Sequence, residues 1–248
     1  MNSKRLFKTQ VLPDAYETAN RLVMDLIRYI GHMLQYRENI YIALSGGNTP
    51  MLMFEIMEKE YGKAIKWEKL HFFWVDERCV ASNSEESNFG NAYRILFSKV
   101  PIPKENLHPI HGDEDPIMEV VRYTGEILSN VPCINGFPVF DLILLGMGND
   151  GHTASIFPGQ VDLFETTAVC SISQHPQTLQ KRITLTGKVI NNASEIVFLV
   201  TGANKADKIK SVIDENDSFI FPAKKIRPNQ GTLTWYLDKE AAAYVEVP

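Results

Sequence analysis

Short apolar runs, each closed by a polar segment and followed by a stretch of helical periodicity, constrain this chain more than any other feature. Ile40 to Leu44 ends in Ser45-Gly-Gly-Asn-Thr-Pro50, and Leu70 to Val75 ends in Asp76-Glu-Arg. Phe140 to Leu145 ends in Gly146-Met-Gly-Asn-Asp-Gly-His152, and Glu195 to Val200 ends in Thr201-Gly-Ala-Asn-Lys205. Uninterrupted apolar runs of this length suit strands buried on both faces. Their alternation with helices predicts an α/β fold, a mostly parallel sheet flanked by helices on both faces. In such sheets ligands sit beyond the carboxyl ends of the strands. Four special segments at that edge predict one site.

The remaining elements follow from caps and periodicity. Asp14, with Glu17 three residues on, predicts a capped helix whose apolar positions Leu22, Val23, Leu26, Ile27, Ile30, Met33 and Leu34 recur every three to four residues. This reading makes Ile40 the start of the first strand. Thr49 is the expected N-cap of the next helix, with Pro50 in its first turn. Ser87 opens a helix to about Lys99, and another starts near Asp115-Pro116. Ala168 to Ile172, Arg182 to Leu185 and Thr232 to Leu237 are further strands. A helix after Gly202 places Ile209, Val212 and Ile213 on one side. No repeat or long linker divides the chain, so residues 1–248 are expected to form a single domain.

Charge and composition exclude several function classes. With 25 basic and 30 acidic residues, the net charge of −5 disfavours a nucleic-acid binder. A small anionic ligand remains open, because a few local cations suffice to hold one. The apolar stretches fall far short of the roughly 18 residues that span a bilayer, and the first fourteen residues lack a secretory apolar core. Three cysteines, none in a CxxC pair, fit a reducing compartment. The expectation is a cytoplasmic protein without a membrane partner. No HExxH or similar pattern appears, and no metal site or cofactor is expected.

Each segment has a chemical reading. Ser45, Gly46, Gly47, Asn48 and Thr49 join a strand to a helix N-terminus, where backbone N–H groups and the helix dipole favour an anion. An ordinary βα turn explains the same residues. The segment is neither a Walker loop nor GxGxxG. Asp76 and Arg78 end a strand; Asp could serve as a base and Arg could fork onto an oxyanion, although an isolated Asp-Glu-Arg reads more readily as a solvated loop with a surface ion pair. His152, one of six histidines, stands among small residues with Asp150 two positions earlier, a pairing suited to general-base activation of water. Arg182 and Lys205 are cations that could complete a phosphate pocket. His71, His108, His111 and His175 lack mutual metal-ligand spacing and read as structural or solvent-facing.

Taken together and in order, Leu-Ser-Gly-Gly-Asn-Thr-Pro, Trp-Val-Asp-Glu-Arg-Cys-Val, Ser-Asn-Phe-Gly, Leu-Leu-Gly-Met-Gly-Asn-Asp-Gly-His-Thr-Ala-Ser-Ile-Phe-Pro-Gly and Arg-Ile-Thr-Leu-Thr resemble the 6-phosphogluconolactonases, from about Ile42 to Asp238. The resemblance implies a Rossmann-like fold and hydrolysis of 6-phosphoglucono-δ-lactone to 6-phosphogluconate, the second step of the pentose phosphate pathway, with no obligatory metal. It implies His152 as general base beside Asp150, phosphate-holding roles for Ser45 to Thr49, Arg182 and Lys205, and a role for Arg78 at the phosphate or lactone end. Asp76 is included among the catalytic candidates. Asn48 departs from the usual serine, and Asn149 fills a position often taken by proline. Two alternatives stand beside this reading. One is a glucosamine-6-phosphate deaminase, whose pattern continues Ile-Ala-Phe-Asn-Glu-Pro-Gly after Asp-Gly-His. The other is a non-catalytic sugar-phosphate sensor. A monomer or a small homo-oligomer is expected.

Overall fold

The structure, a computed structural model, describes residues 7–214 and 220–245. In chain order its elements are β1 (Lys8–Leu12), α1 (Ala15–Met33), β2 (Ile40–Leu44), α2 (Asn48–Ile56), β3 (Leu70–Trp74), β4 (Asp76–Arg78), α3 (Asn88–Ala92), β5 (Leu107–His108) and α4 (Pro116–Asn130). There follow the short hairpin β6 (Cys133–Ile134) and β7 (Phe137–Pro138), then β8 (Leu142–Leu145), β9 (Cys170–Gln174), β10 (Lys181–Leu185), α5 (Gly187–Asn191), β11 (Glu195–Val200), α6 (Ala206–Ile213) and β12 (Thr232–Asp238).

Seven strands form one parallel sheet in the order β1-β12-β11-β8-β2-β3-β5. From β2 the chain moves outward to β3 and β5. It then returns to the other side of β2 at β8 and moves outward again through β11 to β12. The direction of winding therefore reverses between β2 and β8, and a crevice opens beyond their carboxyl ends. Right-handed crossovers in the two directions put α1, α2 and α3 on one face and α4, α5 and α6 on the other. The contacts of α2 with both α1 and α3 agree with that assignment. The sheet core is aliphatic and aromatic, with Phe198 and Trp235 stacked across β11 and β12 at 3.8 Å.

Four expectations need correction. The first strand is β1, not Ile40 to Leu44; Lys8-Thr-Gln-Val-Leu12 is an edge strand, and its polar residues hide the apolar signal. The cap of α2 is Gly47 rather than Thr49, with φ at 112°, a backbone region that glycine alone enters freely. Asp76-Glu-Arg78 is not a loop but the strand β4. It pairs antiparallel with β10, which pairs antiparallel with β9, in a separate three-stranded sheet. The segment read as Ala168 to Ile172 begins as a strand only at Cys170.

Strand alternation gives this small sheet two unlike faces. Glu77, Ile183, Leu185, Ile172 and Cys170 share one side. Asp76, Arg78, Arg182, Thr184, Ser171 and Ser173 share the other, and their polar groups line up across the register. The sheet also packs against α4. Tyr123 of α4 fixes the approach: its hydroxyl donates to the Trp74 carbonyl and accepts from the Trp74 N–H, both at 2.8 Å, where β3 turns into β4.

Candidate active site

The segment from Gly146 to Gly159 leaves β8 at the reversal point and folds over the polar face of the small sheet. Within it the Gly148 N–H donates to the His152 carbonyl at 2.9 Å, and the Thr153 hydroxyl donates to the Gly146 carbonyl at 2.9 Å. This tight turn brings Asp150 back onto His152. One carboxylate oxygen, Oδ1, lies 2.6 Å from His152 Nδ1 and accepts the His152 backbone N–H at 3.1 Å. A Cβ on Gly148 would stand 2.2 Å from His152 Nδ1 and 2.7 Å from Asp150 Oδ1, so the couple closes only over glycine. The buried Phe157 ring supports the imidazole from the side at 4.7 Å between centroids.

Electrostatics fix the roles in this pair. Burial pushes the Asp150 carboxyl up, but the hydrogen bond and charge of His152 outweigh it and bring the group down to about 2. Asp150 is therefore an acceptor, and Nδ1 of His152 carries the proton between them. In a neutral imidazole so oriented, the lone pair stands on the other ring nitrogen, Nε2.

Opposite this couple stand cations without counterions. Arg78 on β4 and Arg182 on β10 are direct cross-strand neighbours. The Nε atoms of both are buried and have no hydrogen-bond partner. Burial, and after it the charge of Arg78, holds Arg182 below the usual guanidinium value. Burial likewise lowers Lys205, with Asp150 opposing. Among the described residues none of the three is within ion-pair distance of a carboxylate. Half-buried cations without a carboxylate partner favour an anionic ligand.

The α2 end of the crevice adds donors. Gly47 turns the chain so that the first-turn N–H groups of α2 face outward, and the Ser45 hydroxyl is buried with no partner. Thr49 and Thr201 hydroxyls meet at 3.1 Å and tie the β2 and β11 loops together. Asp76 is buried, accepts the Ser155 hydroxyl at 2.6 Å, and so anchors the His152 segment to β4. Glu77 points away and accepts N–H bonds from Arg78, Asn88 and Phe89 and the Ser87 hydroxyl, all at 2.8–3.0 Å. The solvated-loop reading of Asp-Glu-Arg therefore does not hold, because both acids are buried.

Ser45, Gly46, Gly47, Asn48, Thr49, Asp76, Arg78, His152, Arg182 and Lys205 all line one cavity of about 440 Å³, and Asp150 reaches it through His152. Asn88, Thr201 and Asn204 also line it; their segments stood out in the sequence, but no role was assigned to these three residues. Asn88 follows the cap Ser87 and reads locally as a helix start; only its bond to the Asp76 carbonyl, Nδ2 donating at 2.9 Å, brings it in. Among the described residues no group of three His, Cys, Asp or Glu side chains is arranged to hold a metal ion.

Residues 13–235 match the family described as glucosamine-6-phosphate isomerases/6-phosphogluconolactonase. A 6-phosphogluconolactonase of Haemophilus influenzae is 40% identical over 231 residues, which cover 92% of this chain and 96% of that one. The solved structure of a devB protein superposes with a TM-score of 0.91 at 39% identity, covering 97% of this chain and all of its own. The 6-phosphogluconolactonase of Trypanosoma cruzi gives a TM-score of 0.89 at 28% identity, with 99% of each chain covered. With sequence and fold in agreement over nearly its whole length, the chain belongs to the glucosamine-6-phosphate isomerase/6-phosphogluconolactonase family.

Proposed function

We infer that this protein is a 6-phosphogluconolactonase, which hydrolyses 6-phospho-D-glucono-1,5-lactone to 6-phospho-D-gluconate in the oxidative branch of the pentose phosphate pathway. The observation that carries the reading is the His152–Asp150 couple facing three cations that have no carboxylate partner among the described residues, across one cavity of sugar-phosphate size. His152 Nε2 takes a proton from a water that attacks the lactone carbonyl, and Asp150 stabilises the imidazolium that forms. The carbonyl electrons collect on oxygen, where Arg78 or a backbone N–H opposes the charge, an interaction worth about 3–4 kcal/mol at comparable sites. When the tetrahedral adduct collapses, the ring C–O bond breaks and the imidazolium returns its proton to the leaving hydroxyl. Water is the sole co-reactant. Arg182, Lys205 and the Ser45–Thr49 turn hold the phosphate, whose binding energy fixes the ring against His152.

The deaminase alternative is disfavoured by Phe157. That residue stands before Pro158, where the deaminase pattern carries glutamate, and a buried ring against His152 cannot shuttle protons. No helix among the described residues is long and apolar enough to cross a membrane. The test is to generate the lactone in situ, subtract spontaneous hydrolysis, and assay ammonia release from glucosamine 6-phosphate in parallel. Lactone loss should accelerate without ammonia release, and His152→Ala should lower turnover on the order of 10²–10⁴-fold. Full activity in His152→Ala would remove the assigned base, and ammonia release would reverse the choice of reaction.

A further inference from the structure

The solvent face of α4 is unlike that of a surface helix. The helix turns Glu119, Tyr123 and Ile127 into the fold. Its charges are tied together along one flank, Arg122 to Glu119 at 2.6 Å and to Glu126 at 3.8 Å. What faces water is Ile117 (66% exposed), Met118 (67%), Val121 (66%) and Leu128 (45%), with the exposed Gly125 and Ser129 between and beyond them. That face carries no charge, whereas the outer side of α1 carries Arg21, Asp25 and Arg28. A surface helix normally presents charged residues there, and an apolar strip of this extent marks an interaction site.

We propose that this face is the two-fold contact of a homodimer. Three observations select a second copy as the occupant. The chain carries a net charge of −5, and a neutral strip is where two like-charged copies can meet without opposing charges in contact. The strip is also self-complementary. Gly125 costs about 1 kcal/mol relative to alanine in a helix interior, yet a Cβ there would touch nothing within 4 Å, so the packing of one copy gives no reason for glycine. Antiparallel α4 helices related by a two-fold axis near position 123 set Val121 into the notch at Gly125 of the partner subunit, and Met118 against Leu128 of the partner subunit. Finally, four large apolar side chains between 45% and 67% exposed supply the apolar centre that an interface of ~800 Å² a side needs, with a polar rim around it. None of these residues lines the catalytic cavity.

Sedimentation velocity of the full chain at tens of micromolar tests this, with Gly125→Lys as the disrupting variant. Lysine is a better helix former than glycine and meets no neighbour there, so the fold is kept while a charge enters the strip. The wild type should sediment at twice the 28.1 kDa chain mass and Gly125→Lys at the chain mass, with unchanged circular dichroism and lactone turnover. Val121→Asp should behave as Gly125→Lys does. A wild type that stays monomeric at ~100 µM, weaker than a micromolar-range contact, would overturn the proposal. So would a Gly125→Lys variant that remains dimeric, since the contact would then lie on another face.

Discussion

Substitution at Asp150 tests the mechanism most sharply, because removing the carboxylate and replacing it with an amide of the same shape are expected to differ. Contact with His152 brings the Asp150 carboxyl from 3.8 to about 2. The Asp150 side chain is 44% exposed and water screens such a pair, so the coupling is worth about 1 kcal/mol. That coupling is what Asp150 offers the imidazolium in the transition state, and its loss in Asp150→Ala should slow turnover roughly 5–10-fold. Asp150→Asn should be worse. Its amide can donate to Nδ1 across the 2.6 Å contact, which moves the ring proton to Nε2 and leaves no lone pair for the attacking water; a loss of about 10²–10⁴-fold follows. The Michaelis constant should change little in both, because Asp150 does not hold the phosphate. The assay is lactone decay at neutral pH with lactone generated in situ. An asparagine variant as active as the alanine variant, or both within about threefold of wild type, would refute the tautomer argument.

Gly148→Ala forces a methyl into the His152–Asp150 contact and should reduce turnover at least about tenfold while the thermal midpoint stays near wild type; an unaffected rate would mean the couple is not needed in this geometry. Arg182→Ala and Lys205→Ala should raise KM with turnover largely kept, since each removes binding common to ground and transition states; an equal fall in kcat instead would place that cation at the reacting carbonyl. His71 and His108, 3.1 Å apart, are both held below the ordinary 6.5, chiefly by burial, with Glu126 partly opposing at His108. Between those lowered values and 6.5 the unfolded chain binds protons that the folded chain does not, so their contribution is complete above pH 6.5 and is lost as the pH falls below it. The drop in Tm between pH 7.5 and 5.5 should be smaller in His71→Phe than in wild type, and an identical drop would discard the pair as its source.

Much of this was legible in the sequence because it is local. Ile40–Leu44 and Glu195–Val200 match strands residue for residue, since an unbroken apolar run has few other fates once it must be buried. Asp14 caps α1 and Asp115 caps α4, each accepting N–H bonds from the first turn, because a cap needs only its next few residues. The four polar segments converge on one cavity because parallel strands must end on the same edge. Lys8–Leu12 was not legible, because an edge strand half open to water does not need an apolar pattern.

Pairing between distant segments could not be read from either segment alone. Nothing near Arg78 announces that it lies opposite Arg182 in an antiparallel sheet, or that Ser155 reaches back to Asp76 across 79 positions. Whether Asp-Glu-Arg is a solvated loop or a buried strand depends on what covers it, and the cover is supplied by α3 and by the His152 segment. The sequence by itself determined which residue types stand at the strand ends, and hence the chemistry on offer. The tertiary structure alone decided which of them share a cavity, which cations are left unpaired, and which helix face remains bare, because burial and charge compensation depend on neighbours far apart in the chain.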